Sequence, residues 1–207
     1  MGQPPGGYYS PYKNPKLSDG PEGEYLTDRL VDESLKFMEA DPDTPFLLYL
    51  SFYTVHTPIQ ASLRHLEKFN EKRRSLTDSV PNVVSEGLGF TRQGQSNAAY
   101  ASMVYAMDEN VGRILDKLEE LGIMDNTLLV FTSDNGGLTT VENEDWAAPT
   151  DVLPLRAGKG WAYEGGIRVP LIIKKPGQDK AMVIDAPVNS MDLYPTILRG
   201  LKLDLLP

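Results

Sequence analysis

Residues 128–137 constrain the fold of this chain more than any other segment. An apolar run over 128–132 leads directly into Ser133, Asp134 and Asn135, and a pair of glycines follows. A short apolar run bounded by turn residues is typical of a buried strand in a parallel sheet, and ligands bind at the carboxyl ends of such strands. Two interpretations remain open. Asp134 and Asn135 are oxygen ligands for a hard cation, Ca²⁺ above the others, or they form an Asx-turn leading into the glycines.

Composition excludes several classes of function. The 207 residues are 41% hydrophobic and 24% charged, as in a folded globular protein, and the net charge of −9 disfavours a nucleic-acid surface. The absence of cysteine excludes disulfides, thiolate metal sites and a cysteine nucleophile, and leaves the redox compartment undetermined. No apolar run is long enough to span a membrane, and the amino terminus lacks the pattern of a signal peptide.

Helical and apolar patterns alternate along the chain. Residues 1–23, rich in proline and glycine, are expected to form an irregular arm, and residues 24–207 the folded part. Helices are predicted over 27–40, over 103–121 with Gly122 closing the run, and after Asp192; a short helix and a long loop are expected within 59–95. Strands are predicted at 45–52, 128–132 and 169–173, with 183–184 as a candidate fourth. This alternation predicts an α/β fold with a mixed, mostly parallel sheet flanked by helices on both faces.

Two further polar residues follow apolar or glycine-rich segments. His56 lies just past the predicted strand at 45–52, in the same kind of position as Asp134; a structural role for this histidine is the competing interpretation. Lys159 stands between Gly158 and Gly160, where glycine lets a ligand approach the backbone and the ammonium group can bind an oxyanion. An ordinary exposed lysine in a flexible loop is the alternative there. His65 falls in a predicted surface helix and is taken as structural.

The lysine segment is not a phosphate-binding P-loop. That motif requires a glycine at position 153 and a serine or threonine at position 160, where this chain has Leu153 and Gly160. A cation site at Asp134 and Asn135, an imidazole and an ammonium group would instead surround a tetrahedral oxyanion and protonate a leaving oxygen. Hydrolysis of sulfate or phosphate esters is the reaction class that this set suits.

Five segments of the chain, in order, resemble type I sulfatases of the alkaline phosphatase superfamily. They are PFLLYLSFYTVHTPIQ (45–60), YAMDENVGRI (105–114), SDNGG (133–137), GKGWAYEGGIRVP (158–170) and DLYPT (192–196). The resemblance implies hydrolysis of sulfate esters, with Asp134 and Asn135 as Ca²⁺ ligands and Lys159 on the sulfate oxygens. It also implies that His56 contacts the sulfate or donates a proton to the leaving group, and that the nucleophile is a formylglycine made from Cys or Ser in a C/S-x-P-x-R signature.

The chain departs from the family pattern in its nucleophile. Its nearest match to the signature, residues 79–83, has Val83 where arginine is required and follows His56 instead of preceding it, so we reject this match. The adjacent Asp-Asp pair that completes the family's calcium site is also absent. The chain is therefore expected to be the later part of a sulfatase catalytic domain. We expect it, when isolated, to bind Ca²⁺ weakly, to lack turnover, and to associate through an uncovered sheet edge.

Two alternatives to a sulfatase remain open, together with the substrate. One is a phosphodiesterase or phosphonate hydrolase of the same superfamily, and the other is a non-catalytic binding or assembly module on this fold. The expected substrate is a sulfated small molecule or carbohydrate; Trp161 and Tyr163 beside Lys159 can stack on its ring or pack inward. Family members are often periplasmic, secreted or lysosomal, but nothing in this chain assigns a compartment.

Overall fold

The computed structural model describes residues 6–41, 43–76, 82–142 and 148–203. Its helices are α1 (Leu26–Ala40), α2 (Leu63–Ser75), α3 (Ala98–Glu120), α4 (Glu164–Ile167) and α5 (Leu193–Gly200). Its strands are β1 (Asn82–Glu86), β2 (Gly89–Gln93), β3 (Leu129–Thr132), β4 (Thr140–Val141) and β5 (Leu171–Lys174). No helix in the described ranges combines the length and apolar character needed to cross a membrane.

Helix α3 is the centre of the helical layer and packs against both α1 and α2. Asn97 caps its start by accepting the backbone N–H of Tyr100, and Gly122, with φ +69°, follows its end. The buried face of α3 places Met103 and Ala106 in the core. The predicted helices over 27–40 and 103–121 are confirmed by α1 and α3. Both were predictable because apolar residues at helical spacing indicate a helix and its buried face.

Residues 6–23 have little regular structure but contribute to the core. Tyr8 and Tyr12 of this segment are fully buried and pack with Tyr25, Leu26 and the α3 residues. Within the described ranges, its strand-like pairing is limited to isolated bridges, such as the one between Tyr9 and Tyr25. The irregular backbone that proline and glycine predict is therefore present, and its aromatic side chains hold it against the helices.

The strands form two small antiparallel sheets. Strands β1, β2 and β4 lie in that order in one sheet, and β3 pairs with β5 in the other, with Val130 opposite Ile173. The predicted mixed α/β class is confirmed, and the chain contains only part of that fold. The strand pairs of the described residues are antiparallel, a direction that an apolar run does not encode.

Two of the predicted strands do not form strand hydrogen bonds in the structure. Residues 45–52 and 183–184 are not strands, and the side chains of Leu47, Tyr49 and Val183 are 80%, 84% and 91% exposed. Exposure alternates along 46–52, as in a strand with one covered face. The sequence pattern indicated a face that can be buried, but no neighbouring strand pairs with it here. Phe131 of β3 is also exposed, so the predicted 128–132 strand exists without being fully buried.

The segment 59–95 contains the expected short helix, α2. Two strands follow it where only a loop was predicted. Strands β1 and β2 form a hairpin around Gly87 and Leu88, which the sequence interpretation missed. His65 of α2, predicted to be structural, lies 3.0 Å from a Glu109 carboxylate oxygen and packs its ring on Tyr105 of α3. Of the rejected signature match at 79–83, residues 79–81 lie outside the described part of the chain.

Candidate active site

The polar turn after β3 presents two oxygen-bearing side chains. The Ser133 hydroxyl donates to the carbonyl oxygen of Asn135 at 2.9 Å, which closes the turn. Asp134 is exposed and Asn135 is half-buried. Within the described ranges, neither the carboxylate of Asp134 nor the side-chain amide of Asn135 has a hydrogen-bond or ion-pair partner. Both are therefore available to a cation or a ligand.

Lys159 lies at the tip of a tight turn formed by residues 158–161. The N–H of Trp161 donates to the carbonyl oxygen of Gly158 at 3.1 Å, and Gly160 has φ +89°. A positive φ at the third residue is typical of a type II turn and favours glycine there. The lysine is the second residue of this turn, so the glycines on each side of it set the backbone that presents its ammonium group.

Backbone hydrogen bonds join the lysine turn to the turn after β3. The N–H of Lys159 donates to the carbonyl oxygen of Gly137 at 2.8 Å, and the N–H of Gly136 donates to that of Gly166 at 2.9 Å. A Cβ atom on Gly136 would overlap the Gly165 carbonyl group. The two predicted segments therefore meet backbone to backbone, at a distance that side chains would prevent.

Lys159 has no carboxylate partner in the described part of the chain, whereas its arginine neighbours do. Arg156 pairs with Glu86 at 2.6 Å, and Arg168 pairs with Glu164 at 3.1 Å. The hydrogen bonds that Arg156 donates to Glu86 also raise the pKa of Arg156 above its usual value. The ammonium group of Lys159 is thus the uncompensated positive charge of this segment, as an anion site requires.

His56 lies in a different loop, which is ordered by its own contacts. Its Nδ1 is 2.9 Å from the carbonyl oxygen of Thr57, which can only accept, so Nδ1 carries the proton. In the neutral ring, Nε2 is then an acceptor, and a second proton on the ring makes it a donor. The imidazole is exposed. Its exposed nitrogen is free to act on a ligand in either role.

Tyrosines from the amino-terminal segment and from the residue that precedes α1 hold the His56 loop, a feature that no sequence motif indicated. The Tyr8 hydroxyl lies 2.7 Å from the carbonyl oxygen of Tyr53 and 2.9 Å from that of His56. The hydroxyls of Tyr9 and Tyr25 donate to the carbonyl oxygens of Ala61 and Gln60. Burial raises the pKa of Tyr8, which keeps its hydroxyl protonated as a donor.

Replacing Tyr8 by phenylalanine is expected to loosen the His56 loop. The change leaves the carbonyl oxygens of Tyr53 and His56 without this donor, which should lower the free energy of unfolding by about 1–2 kcal/mol. Denaturant unfolding measures the loss, and the NMR signal of the His56 ring, one of two histidines in the chain, reports the loop.

Tyr12→Phe is the matched control for this change. Its side chain is equally buried, and its hydroxyl bonds to Glu24 instead of the His56 loop. We expect a similar loss of stability with an unchanged His56 signal. An equal shift of that signal in both variants would show that the Tyr8 hydroxyl does not position the loop.

The structure thus joins the segments of three of the four predicted site residues. Asp134, Asn135 and Lys159 are linked by the backbone bonds described above, whereas the contacts of His56 run to the amino-terminal segment. The approach of His56 to the other three therefore stays a prediction. The described residues contain no group of three or more His, Cys, Asp or Glu side chains that could hold a metal. The two oxygen donors suit Ca²⁺ in kind but not in number, since that ion takes six to eight.

Comparison with known proteins gives consistent matches over most of the chain. The Sulfatase family model matches residues 4–202. A protein named Sulfatase from Formosa agariphila is 34% identical over 204 residues, which are 92% of this chain and 32% of that protein. Mouse steryl-sulfatase is 34% identical over 178 residues, 84% of this chain and 24% of that enzyme.

A solved structure shares the fold. The crystal structure of Ps i-CgsB in complex with k-i-k-neocarrahexaose superimposes with a TM-score of 0.70 at 31% sequence identity, covering 92% of this chain and 37% of that one. The chain therefore spans about a quarter to a third of the two relatives named above and 37% of the chain in that crystal structure. Since the family model covers nearly every residue from the amino-terminal tyrosines to α5, this chain belongs to the Sulfatase family.

Proposed function

We propose that this chain supplies the oxyanion-binding part of a sulfate-ester hydrolase. The observation that carries the proposal is the backbone junction between the Lys159 turn and the turn bearing Asp134 and Asn135. It joins the loop that carries an unpaired ammonium group to the loop that carries two oxygen ligands without a partner in the described part of the chain. Membership of the Sulfatase family supports sulfate esters as the substrate class.

The proposed chemistry follows from the charge that hydrolysis develops. As the bond between sulfur and the ester oxygen breaks, negative charge grows on the leaving oxygen, and the sulfuryl oxygens carry the rest of the charge of the transition state. Lys159 would bind the sulfuryl oxygens, and preorganised positive charge of this kind is worth most in the transition state. His56, in its doubly protonated form, would donate a proton from Nε2 to the leaving oxygen, or would contact the sulfate directly.

Two parts of this chemistry are not supplied by these 207 residues. A formylglycine nucleophile needs a precursor in a C/S-x-P-x-R signature, which the sequence lacks. Asp134 and Asn135 would be two ligands of a Ca²⁺ site, which when filled would add positive charge beside the sulfate. Two ligands are too few to hold Ca²⁺ firmly, and without the nucleophile we expect the isolated chain to turn over no substrate.

The alcohol part of the ester is less constrained than the sulfate. One similar protein is named a steryl-sulfatase, and another was crystallised with k-i-k-neocarrahexaose. These names point to different alcohols, a sterol and an oligosaccharide. We propose a sulfated carbohydrate as the substrate class, with a sulfated small molecule as the alternative.

Turnover assays on the 207-residue chain and on the longest reading frame that contains it test the proposal. We expect the longer protein to hydrolyse 4-nitrophenyl sulfate in preference to 4-nitrophenyl phosphate, and the 207-residue chain to be inactive. Lys159→Ala should lower kcat/KM of the longer protein about 100-fold, since it removes charge that stabilises the transition state. Asp134→Ala or calcium chelation should also lower it.

Lys180→Ala is the control, because it removes an exposed lysine outside the site segments and should leave kcat/KM unchanged. Preference for the phosphate ester would favour the phosphodiesterase alternative. Inactivity of the longer protein toward both esters would favour a non-catalytic module. Fast turnover of the sulfate ester by the 207-residue chain would contradict our account of the nucleophile.

A further inference from the structure

An aromatic stack stands beside the Lys159 turn. The rings of Trp161 and Tyr163 lie nearly parallel, at 16° with centroids 6.2 Å apart, and the guanidinium of Arg156 lies 3.9 Å from the Tyr163 centroid. Tyr163 is 41% exposed and Trp161 is half-buried. An aromatic surface that is partly exposed in this way can bind ring-shaped ligands through their apolar faces.

The hairpin of β1 and β2 supports this stack from behind. The carboxylate of Glu86, at the end of β1, pairs with Arg156 at 2.6 Å. In the turn of the hairpin, a Cβ atom on Gly87 would lie 3.1 Å from Cη2 of Trp161, so this backbone packs directly on the indole. The stack is therefore fixed by contacts from a separate part of the chain, and a ligand would find its surface already formed.

The stack begins in the same turn as Lys159. Trp161 is the last residue of the four-residue turn 158–161, whose end residues Gly158 and Trp161 lie within about 7 Å of each other. A sulfate ester whose sulfate contacts Lys159 must place its alcohol part within a few ångströms of the sulfur. An alcohol part that extends toward Trp161 would therefore meet the aromatic stack.

We propose that Trp161 and Tyr163 form a subsite for the sugar ring that carries the sulfate ester. This inference rests on the proposed function and names the part of the site that selects the alcohol. The C–H groups on one face of a sugar ring carry slight positive charge and pack on the negative face of an aromatic ring. The Glu86–Arg156 pair, whose guanidinium lies over the Tyr163 ring, offers an acceptor and donors to hydroxyls beside the ester, which a sugar has and a sterol lacks.

Fluorescence of Trp161 tests the subsite in the whole 207-residue chain. The chain has two tryptophans, so Trp146→Phe leaves Trp161 as the only one. The probes are a sulfated oligosaccharide, ethyl sulfate, which has no ring, and a steroid sulfate. We expect the sulfated oligosaccharide to quench or shift the emission of Trp161, and ethyl sulfate to bind without this effect. No response to the oligosaccharide up to about 10 mM would overturn the proposal.

Variants in the same background separate the subsite from the sulfate site, with binding measured by calorimetry and folding by thermal melting. Tyr163→Leu should weaken oligosaccharide binding about fivefold and leave ethyl sulfate binding unchanged. Tyr194→Leu, at an exposed tyrosine of α5, is the matched control and should change neither. Lys159→Ala should weaken the binding of both ligands, because both carry the sulfate.

Each other result has a distinct meaning. If Lys159→Ala weakens the binding of both ligands but Tyr163→Leu weakens the binding of neither, the stack is only structural and the subsite is refuted. If Tyr163→Leu acts on the oligosaccharide while Lys159→Ala has no effect on either ligand, the subsite stands and the proposed sulfate site fails. A steroid sulfate that binds more tightly than the oligosaccharide, and that loses more affinity in Tyr163→Leu, would overturn the assignment to sugars.

Discussion

Alanine at Gly136 is expected to lower the free energy of unfolding by about 4 kcal/mol, among the larger effects of a single substitution. Its Cβ would overlap the carbonyl group of Gly165, which is backbone and cannot turn aside as a side chain can. Relief requires the two loops to separate, which breaks the hydrogen bonds from Gly136 to Gly166 and from Lys159 to Gly137. Thermal melting measures the loss, which corresponds to roughly 10 °C in a domain of this size.

Gly112→Ala is the control for this prediction. Gly112 lies inside α3 with open space where its Cβ would be, so alanine should raise stability by about 0.5–1 kcal/mol through its better helix propensity. Gly160→Ala provides a second comparison, because it adds strain at a positive φ without steric overlap and should cost about 1 kcal/mol. A Gly136→Ala variant that melts within a degree of the parent would show that the two loops do not meet as described.

The helices were predictable because their signals are local. Met103 and Ala106 share a face of α3 through spacing along the sequence alone, and Gly122 has the positive φ that ends such helices. Packing against α1 and α2 stabilises α3, which begins at Ala98, five residues before the predicted start. Prediction of secondary structure therefore succeeded where the residues that determine it lie within a few positions of one another.

The strands were less predictable, because a strand is stabilised by pairing with residues that are distant in sequence. Residues 45–52 have the composition of a buried strand, yet Leu47 and Tyr49 face solvent and no strand pairs with the segment. The β1–β2 hairpin was missed for the opposite reason. Its residues are mixed in polarity, and its stability comes from pairing and from contacts such as Glu86 with Arg156.

The site was predictable in its residue types and in part of its arrangement. Paired glycines at 136–137 and 165–166 are the signal that the two loops approach closely, although their contact with each other needed the structure. The support of the His56 loop by Tyr8 could not be predicted, because these residues are 48 positions apart and a buried tyrosine is common in any core. The function of each side chain stays a proposal until the variants are measured.

The isolated 207-residue chain is expected to self-associate through its uncovered apolar surface. Large side chains are exposed in the two segments predicted as strands, at Leu47, Tyr49, Val183 and Ile184. The β3–β5 sheet has two strands, so within the described residues each of them has an edge without a strand partner. Exposed apolar residues beside open edges favour association of copies, since burial removes both from water.

Replacing Leu47, Val183 and Ile184 together by serine should shift the association equilibrium of the chain toward the monomer. Each of these side chains gains at least about 1.5 kcal/mol when fully buried, so the triple variant should weaken association by roughly a thousandfold. Sedimentation velocity over a range of concentrations measures the change. Leu88→Ser, at an apolar residue exposed on the hairpin turn, is the control and should leave association unchanged. A parent chain that stays monomeric at all concentrations would mean that this apolar surface is too dispersed to bind a second copy.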